Sequence, residues 1–441
     1  MRPVAVDLFA GVGGMSLGFE QAGFDVLAAV EIDPVHAAAH EFNFPHCAVI
    51  CGSVSEVSGD DIRAAAKLGD RKVDLVFGGP PCQGFSMIGK RQLDDPRNSL
   101  LKDFVRIARE LDASYIVLEN VKGLTVGKHR AMLDELVQLL DQAGYEVRLP
   151  WRVLDAADFA VPQHRERLFL MAAKKGLPVP AYPASVCTPA DAEPADEIPV
   201  GPSCEDALGD LPDADKFASL KSGDSVKTKA WGEPSEYAEL MRCTAGRGWF
   251  YGYRREFDPM VLTSSAYTEH SDISRRRFSE TEPGTVEPIS RLFKLHPRGL
   301  SNTLRAGTDG ARGAFTSPRP IHYDADRCVT VREMARLHGF PDWFRFNATK
   351  WHGARQIGNA VPPPLARAVG GSVMSAGPFE RTKPEEVVDL GPVGLLTMDL
   401  TTASRHFGVE KPQSKRDRKS GSTKRKQSDI ERLRIAAMAA E

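Results

Sequence analysis

Between residues 4 and 172, short apolar runs alternate with stretches whose apolar positions recur every three or four residues. The runs at 4–9, 26–32, 48–50, 73–77, 115–118, 147–154 and 168–172 have strand length, whereas 15–22, 34–42, 61–68, 100–111 and 130–143 carry helical periodicity. Continuous apolar strands separated by helices point to a mainly parallel sheet buried on both faces, since parallel neighbours are joined by helical crossovers. The pattern predicts a doubly wound α/β domain over residues 1–176.

The alternation then stops. Residues 177–202 hold seven prolines, as expected of a linker or surface arm. No period persists from there to about residue 319, where arginines and aromatics interleave, so 177–305 is expected to form a second, smaller and irregular domain. Periodicity returns at 331–337 and 364–373, which predicts that 306–375 rejoins the first domain. Residues 376–441 read as a C-terminal extension, with a basic run at 415–426 leading into a short helical pattern at 429–440.

Composition narrows the class. The chain is 42% hydrophobic, and no apolar run reaches the length needed to cross a bilayer, so no membrane association is expected. The first strand pattern begins at Val4, which leaves no room for a signal peptide ahead of it. Seven cysteines in 441 residues make no disulfide framework, and a cytoplasmic location is expected. His46, Cys47 and Cys51 lack a second ligand pair, so no metal site is expected. The net charge of −2 neither favours nor excludes nucleic acid, which needs only a local basic surface.

The candidate chemistry lies at predicted strand ends, where open α/β sheets place their ligands. The first strand runs into Ala10-Gly11-Val12-Gly13-Gly14 and then a helix, an arrangement that lets backbone approach a ligand. The second strand ends in Glu31-Ile32-Asp33, where a carboxylate can take ribose hydroxyls. Together these indicate a nucleoside-containing cofactor without choosing between a dinucleotide and S-adenosylmethionine. The strand at 73–77 ends in Gly79-Pro80-Pro81-Cys82-Gln83-Gly84-Phe85-Ser86, which presents Cys82 on a loop rather than in a core. The next ends in Glu119-Asn120-Val121, and Gln163-His164-Arg165-Glu166-Arg167 precedes the last. The i, i+2 spacing would put Arg165 and Arg167 on one face of an extended segment.

These segments, with Asp7-Leu8-Phe9-Ala10-Gly11-Val12-Gly13-Gly14, Arg332-Glu333-Met334-Ala335-Arg336-Leu337 and Gln356-Ile357-Gly358-Asn359-Ala360-Val361-Pro362, resemble the ordered motifs of cytosine-5 DNA methyltransferases. The resemblance runs from about residue 4 to 373. It implies a Rossmann-like, S-adenosylmethionine-dependent catalytic domain with a smaller target-recognition domain acting on double-stranded DNA. It assigns Cys82 as the nucleophile at cytosine C6, Glu119 to N3 and the exocyclic amine, and Arg165 and Arg167 to O2. For the cofactor it implies Phe9 against adenine and Glu31 on ribose, with Gly11, Gly13, Gly14, Val54, Pro81, Leu100, Asn359 and Val361 completing the pocket. Gly52-Ser53-Val54 departs from the acid that many relatives carry, which leaves Ser53 as the candidate partner of the adenine amine.

In the variable region, Gly246 to Arg255 interleaves four aromatics with arginines, and Arg275, Arg276 and Arg277 follow. Such side chains suit phosphate and guanine contacts, and suit equally a small aromatic core with surface arginines. Ser301-Asn302-Thr303-Leu304 resembles the element that closes this region in relatives. A tRNA-methylating branch shares the cysteine chemistry, but its Cys-Phe-Thr segment is missing here; a lapsed, binding-only relative would have no use for Cys82 and Glu119. By analogy with bacterial restriction–modification or phage-defence enzymes, the expectation is a monomer on DNA serving host protection, with defence-system proteins as candidate partners.

Overall fold

The computed structural model describes residues 2–81, 99–125, 130–195, 197–244, 246–308 and 317–412, with Arg432, Ile435 and Ala436. Cys82 and the basic run at 415–426 lie outside the described residues. The first part of the chain builds β1 (Val4–Leu8), α1 (Gly14–Ala22), β2 (Asp25–Glu31), α2 (Pro34–Asn43), β3 (Ala48–Cys51), α3 (Gly59–Ala65), β4 (Leu75–Gly78), α4 (Ser99–Glu110), β5 (Tyr115–Val121), α5 (Arg130–Gln142), β6 (Tyr145–Val147), β7 (Arg152–Asp155) and β8 (Glu166–Lys174). The sheet order is β3-β2-β1-β4-β5-β8-β6, with β7 also pairing β8. The strands from β1 to β5 are mutually parallel, and β8 runs antiparallel to β5. Strand order reverses between β1 and β4, which opens a crevice at their carboxyl ends.

Alternation along the strands feeds two cores. Tyr115 and Val117 of β5 face one side and Ile116 and Leu118 the other; in β8, Phe169 and Met171 oppose Leu168 and Leu170 in the same way. The run expected at 147–154 divides into β6 and β7 on either side of Pro150, which has no N–H to give to a ladder. β1 ends at Leu8 because Phe9 turns to φ 66°, a conformation outside the strand region.

The rest of the chain adds α6 (Cys204–Leu208), β9 (Val226–Lys227), α7 (Glu236–Arg242), β10 (Arg254–Arg255), β11 (Val261–Leu262), α8 (Asp272–Glu280), α9 (Val331–Leu337), α10 (Lys350–Asn359), α11 (Pro363–Ala376), β12 (Val387–Val388) and α12 (Leu400–His406). α11 packs along α1 on one face of the sheet, where Phe19 stacks on Phe77 with centroids 4.2 Å apart. Between residues 177 and 305 the described elements are short and irregular, as the loss of period predicts. No described helix is long and apolar enough to cross a membrane.

The aromatic and arginine run at 246–255 divides: Trp249 and Arg255 are buried, whereas Arg247 and Arg254 are exposed. Arg255, 3% exposed, makes a two-pronged pair with Glu20 of α1 at 2.8 and 2.9 Å. Tyr253 donates its hydroxyl to Asp25 at 2.9 Å, and Trp249 stacks on Trp343 at 5.7 Å. Trp249, Tyr253 and Arg255 are therefore part of the interior packing, and Arg247 and Arg254 stay at the surface. Arg332, Glu333 and Arg336 of α9 are likewise buried, with Glu333 paired to Arg327 and Arg336 to Asp210 and Asp342.

Removing one partner of a buried pair leaves an uncompensated charge, so Arg255→Ala is expected to cost about 3–5 kcal/mol in urea denaturation while leaving the methylated sequence unchanged. Burial pushes the Glu20 carboxyl up, but Arg255 and His46 outweigh it and hold its pKa at about 2, below the usual 4.5. Its stabilising contribution is thus complete above pH 4.5 and is lost as pH falls toward 2, a dependence that Glu20→Gln should remove from acid-unfolding curves.

Candidate active site

At the carboxyl ends of β1, β2 and β4 lies a cavity of about 480 Å³. It is lined by Phe9, Gly11, Gly14, Glu31, Ser53, Val54, Pro81, Leu100, Asn359 and Val361, ten of the residues anticipated for a cofactor. Gly13 is not among them. At φ 100° it turns the chain, and a Cβ there would collide with the Phe44 ring and approach His40 Nδ1 at 3.2 Å, so its need for glycine is one of packing.

Glu31 is fixed from both sides: Oε2 accepts from the Gly11 amide at 2.7 Å and Oε1 from the Asp33 amide at 2.8 Å. Burial raises its pKa against the opposing pull of His36 and these two amides. Asp33 also caps α2 by accepting from the Val35 amide at 3.0 Å. Sequence reasoning missed several lining residues, among them Asp7, His36 and Arg355. Asp7 accepts from Ser16 Oγ at 2.6 Å, and burial, reinforced by Glu31, pushes its pKa well up. His36 is 4% exposed and its Nε2 has no hydrogen-bond partner among the described residues, leaving a buried polar atom at the cavity wall. Its place on the first turn of α2, three residues after Asp33, was the one available signal.

Glu119, near the end of β5, reaches the same cavity. In the antiparallel register Glu119 opposes Phe169, so Arg167 is its diagonal neighbour on the same face. Arg167 Nε pairs with Glu119 Oε1 at 2.8 Å. Burial raises the Glu119 pKa, and Arg167 and Arg165 counter it only in part. Gly79 is required here, because a Cβ would lie 2.7 Å from Glu119 Oε2. Asn120 Nδ2 donates to the Pro80 carbonyl at 2.9 Å and ties the Gly-Pro-Pro loop to β5. Cys82, the next residue but one along that loop, lies outside the described residues.

Arg165 is buried more deeply than Arg167, and both guanidiniums lie near the Glu119 carboxylate. Arg165 is 1% exposed, and its Nη1 and Nη2 donate to the carbonyls of Leu304 (2.9 Å) and Gly358 (2.8 Å). Gln163 Oε1 accepts from the Leu304 amide at 2.9 Å, and Thr303 Oγ1 donates to the His164 carbonyl at 2.8 Å. The element that closes the irregular region is thereby fastened beside the catalytic strand. His164 bridges Asp155 at 2.7 Å and Asp191 at 3.1 Å, and these two carboxylates outweigh burial to raise its pKa.

The family model of C-5 cytosine-specific DNA methylases matches residues 4–375. The chain belongs to that family. This cytosine-5 DNA methylase is 56% identical over 408 residues to the type II methyltransferase M.XorII of Xanthomonas oryzae pv. oryzae, covering 92% of this chain and 93% of that one. It is 33% identical to the type II methyltransferase M1.HphI of Haemophilus parahaemolyticus, over 84% of this chain and 86% of its relative. The crystal structure of a DNA modification methyltransferase encoded within an E. coli prophage superposes with a TM-score of 0.66 at 31% identity, covering 85% of this chain and 99% of that one.

Family and fold imply S-adenosylmethionine as methyl donor. The cavity suits it: an anchored carboxylate at Glu31, an open backbone at Gly11 and a buried imidazole nitrogen without a hydrogen-bond partner among the described residues face the same space. Glu31→Ala is expected to weaken S-adenosylmethionine binding by about 1.5–3 kcal/mol in calorimetric titration, the range for losing charge-assisted hydrogen bonds. Gly79→Ala should displace Glu119 and lower turnover by about a hundredfold, with the cofactor dissociation constant little changed.

Proposed function

We propose that this enzyme methylates carbon 5 of a cytosine flipped out of a specific duplex DNA sequence, through covalent addition of Cys82 to C6. The observation that carries this reading is the Glu119–Arg167 pair, set beside the Gly79–Pro81 loop at one end of the cofactor cavity. Cytosine C6 accepts a nucleophile only while the ring is polarised, so a thiolate needs an acid at N3 and a cation at O2. Glu119, its pKa raised by burial, is suited to hold a proton for N3. Arg167 keeps Glu119 oriented and offers its remaining N–H groups to O2. Arg165 acts through the backbone it binds, as a positioning residue. The cofactor, when bound, supplies the electrophilic methyl group for C5. Loss of the C5 proton then allows Cys82 to leave and the ring to regain aromaticity. All of this requires the base to leave the helical stack.

Residues 177–305 are the reading's target-recognition domain, with 1–176 and 306–375 forming the catalytic domain and 376–441 an extension. Arg276 on α8 has an 81% exposed side chain whose one ion pair, to the exposed Glu280 at 2.8 Å, can be exchanged for a DNA phosphate, unlike the buried pair of Arg255. The relatives named type II methyltransferases support a bacterial, cytoplasmic modification enzyme that protects host DNA, acting as a monomer on its site, with defence-system proteins as partners.

The test is a duplex with 5-fluorocytosine at the target, where fluorine blocks elimination. With S-adenosylmethionine present it should give a denaturation-resistant protein–DNA adduct, lost in Cys82→Ser and sharply reduced in Glu119→Gln. Methylation of a site that forms no adduct would overturn the covalent mechanism, and preferential trapping on RNA would overturn the substrate.

A further inference from the structure

α1 touches a second cavity at its other end. Gly14, its first residue, lines the cofactor cavity, whereas Gln21 and Ala22 at its last turn line a separate cavity of about 250 Å³. One wall is a single face of α11, formed by Pro364, Arg367, Ala368 and Gly371 at helical spacing. Phe159, Phe250 and Tyr251 supply aromatic walls, and Arg381 closes the rim.

Arg367 is only partly buried and differs from three fully buried arginines. Arg255, Arg327 and Arg336 each pair with a carboxylate at 3.0 Å or less. Arg367 has no carboxylate within ion-pair distance among the described residues; its one hydrogen bond is a long one, from Nη1 to Gln21 Oε1 at 3.4 Å. Its guanidinium carbon lies 3.4 Å from the centroid of the Phe250 ring. Phe250 holds that place at φ 52° and ψ −114°, a backbone conformation a non-glycine residue adopts at a cost. Burial lowers the Arg367 pKa to about 10, so the group stays charged at neutral pH. Arg381, bonded only to Gly371 O and Ser375 Oγ, and Lys383 both lie 6.0 Å from the Tyr251 ring centroid. A partly buried cation without an anion is unfavourable, and two further cations nearby add to the local positive charge.

We propose that this cavity is a binding site for a small aromatic carboxylate, whose anion meets Arg367 and Arg381 and whose ring lies among Phe159, Phe250 and Tyr251. A guanidinium with free N–H groups matches a carboxylate in geometry and charge. The volume is below the range of about 300–1,000 Å³ usual for drug-sized ligands, which selects a single ring and its acid. The basic run at 415–426 has the wrong sign to fill the site.

N-acetylphenylalanine and its uncharged amide are the probes, followed by ligand-observed NMR on the full chain. The carboxylate should bind saturably and at least about tenfold more tightly than the amide. A longer peptide ending in phenylalanine separates the two sources of this chemistry: tighter binding indicates a protein C-terminus, and equal binding a free metabolite. Arg367→Met should abolish the preference without lowering the thermal midpoint, since no ion pair is broken. Gly371→Leu should block both probes by filling the cavity; its Cβ would meet only Arg381 Nη2, at 3.7 Å. Equal binding of acid and amide, no saturable binding of either, or an Arg367→Met protein that binds as the natural one would each overturn the assignment.

Discussion

A single buried guanidinium holds together three segments that are far apart in the chain. Arg165 spends two N–H groups on the carbonyls of Leu304 and Gly358, 139 and 193 positions away. The first lies in the element that ends the irregular region, and the second in α10, one residue before Asn359 of the cofactor cavity. The strand that follows Arg165 delivers Arg167 to Glu119. The wall of the cavity, Glu119 beside the Gly-Pro-Pro loop and the end of the irregular region are therefore set against one another by one side chain. Its charge sits near Glu119 but makes no ion pair among the described residues, so main-chain dipoles provide most of its solvation.

The strand-reversal crevice then does for this enzyme what it does for open α/β sheets in general. Backbone amides and strand-end carboxylates converge there without any long-range search by the chain, since β1, β2, β4 and β5 each contribute residues at or just past their carboxyl ends. The glycines divide by role within this frame. Gly79 makes room for a carboxylate, while Gly13 makes room for a phenyl ring.

The sheet and its helices were readable in the sequence because each element buries its own periodic apolar surface. Gly11 and Glu31 could be picked out because they sit at or near strand ends, whereas Leu100, Asn359 and Val361 were implied by the family resemblance. What could not be read was the fate of charged side chains whose partners are distant. Arg255 and Glu20 are 235 positions apart, and an arginine beside tyrosines has the same local appearance whether it faces DNA or an interior carboxylate. Arg165 and Arg167 share a spacing that suggests one face, but the backbone carbonyls that Arg165 binds are 139 and 193 positions away and leave no local sign. His36 lines the cavity from a helix that the pattern located but could not rotate into place, and Arg355 from α10, which the pattern did not predict.

The C-terminal extension bears on where this protein ends as a physical object. Residues beyond the family match are woven into the matched part: β12 pairs with β10, Arg2 donates to the Thr382 carbonyl at 2.7 Å, and Gly391 donates its amide to Phe42 O at 2.8 Å. Leu395 and Leu396 are buried in the same core as α1 and α11. The border drawn by homology at residue 375 thus cuts through a cooperative unit. Inheritance and folding partition this chain differently, and a change in the extension has to be compatible with α2 and with the segment around Arg255 at once.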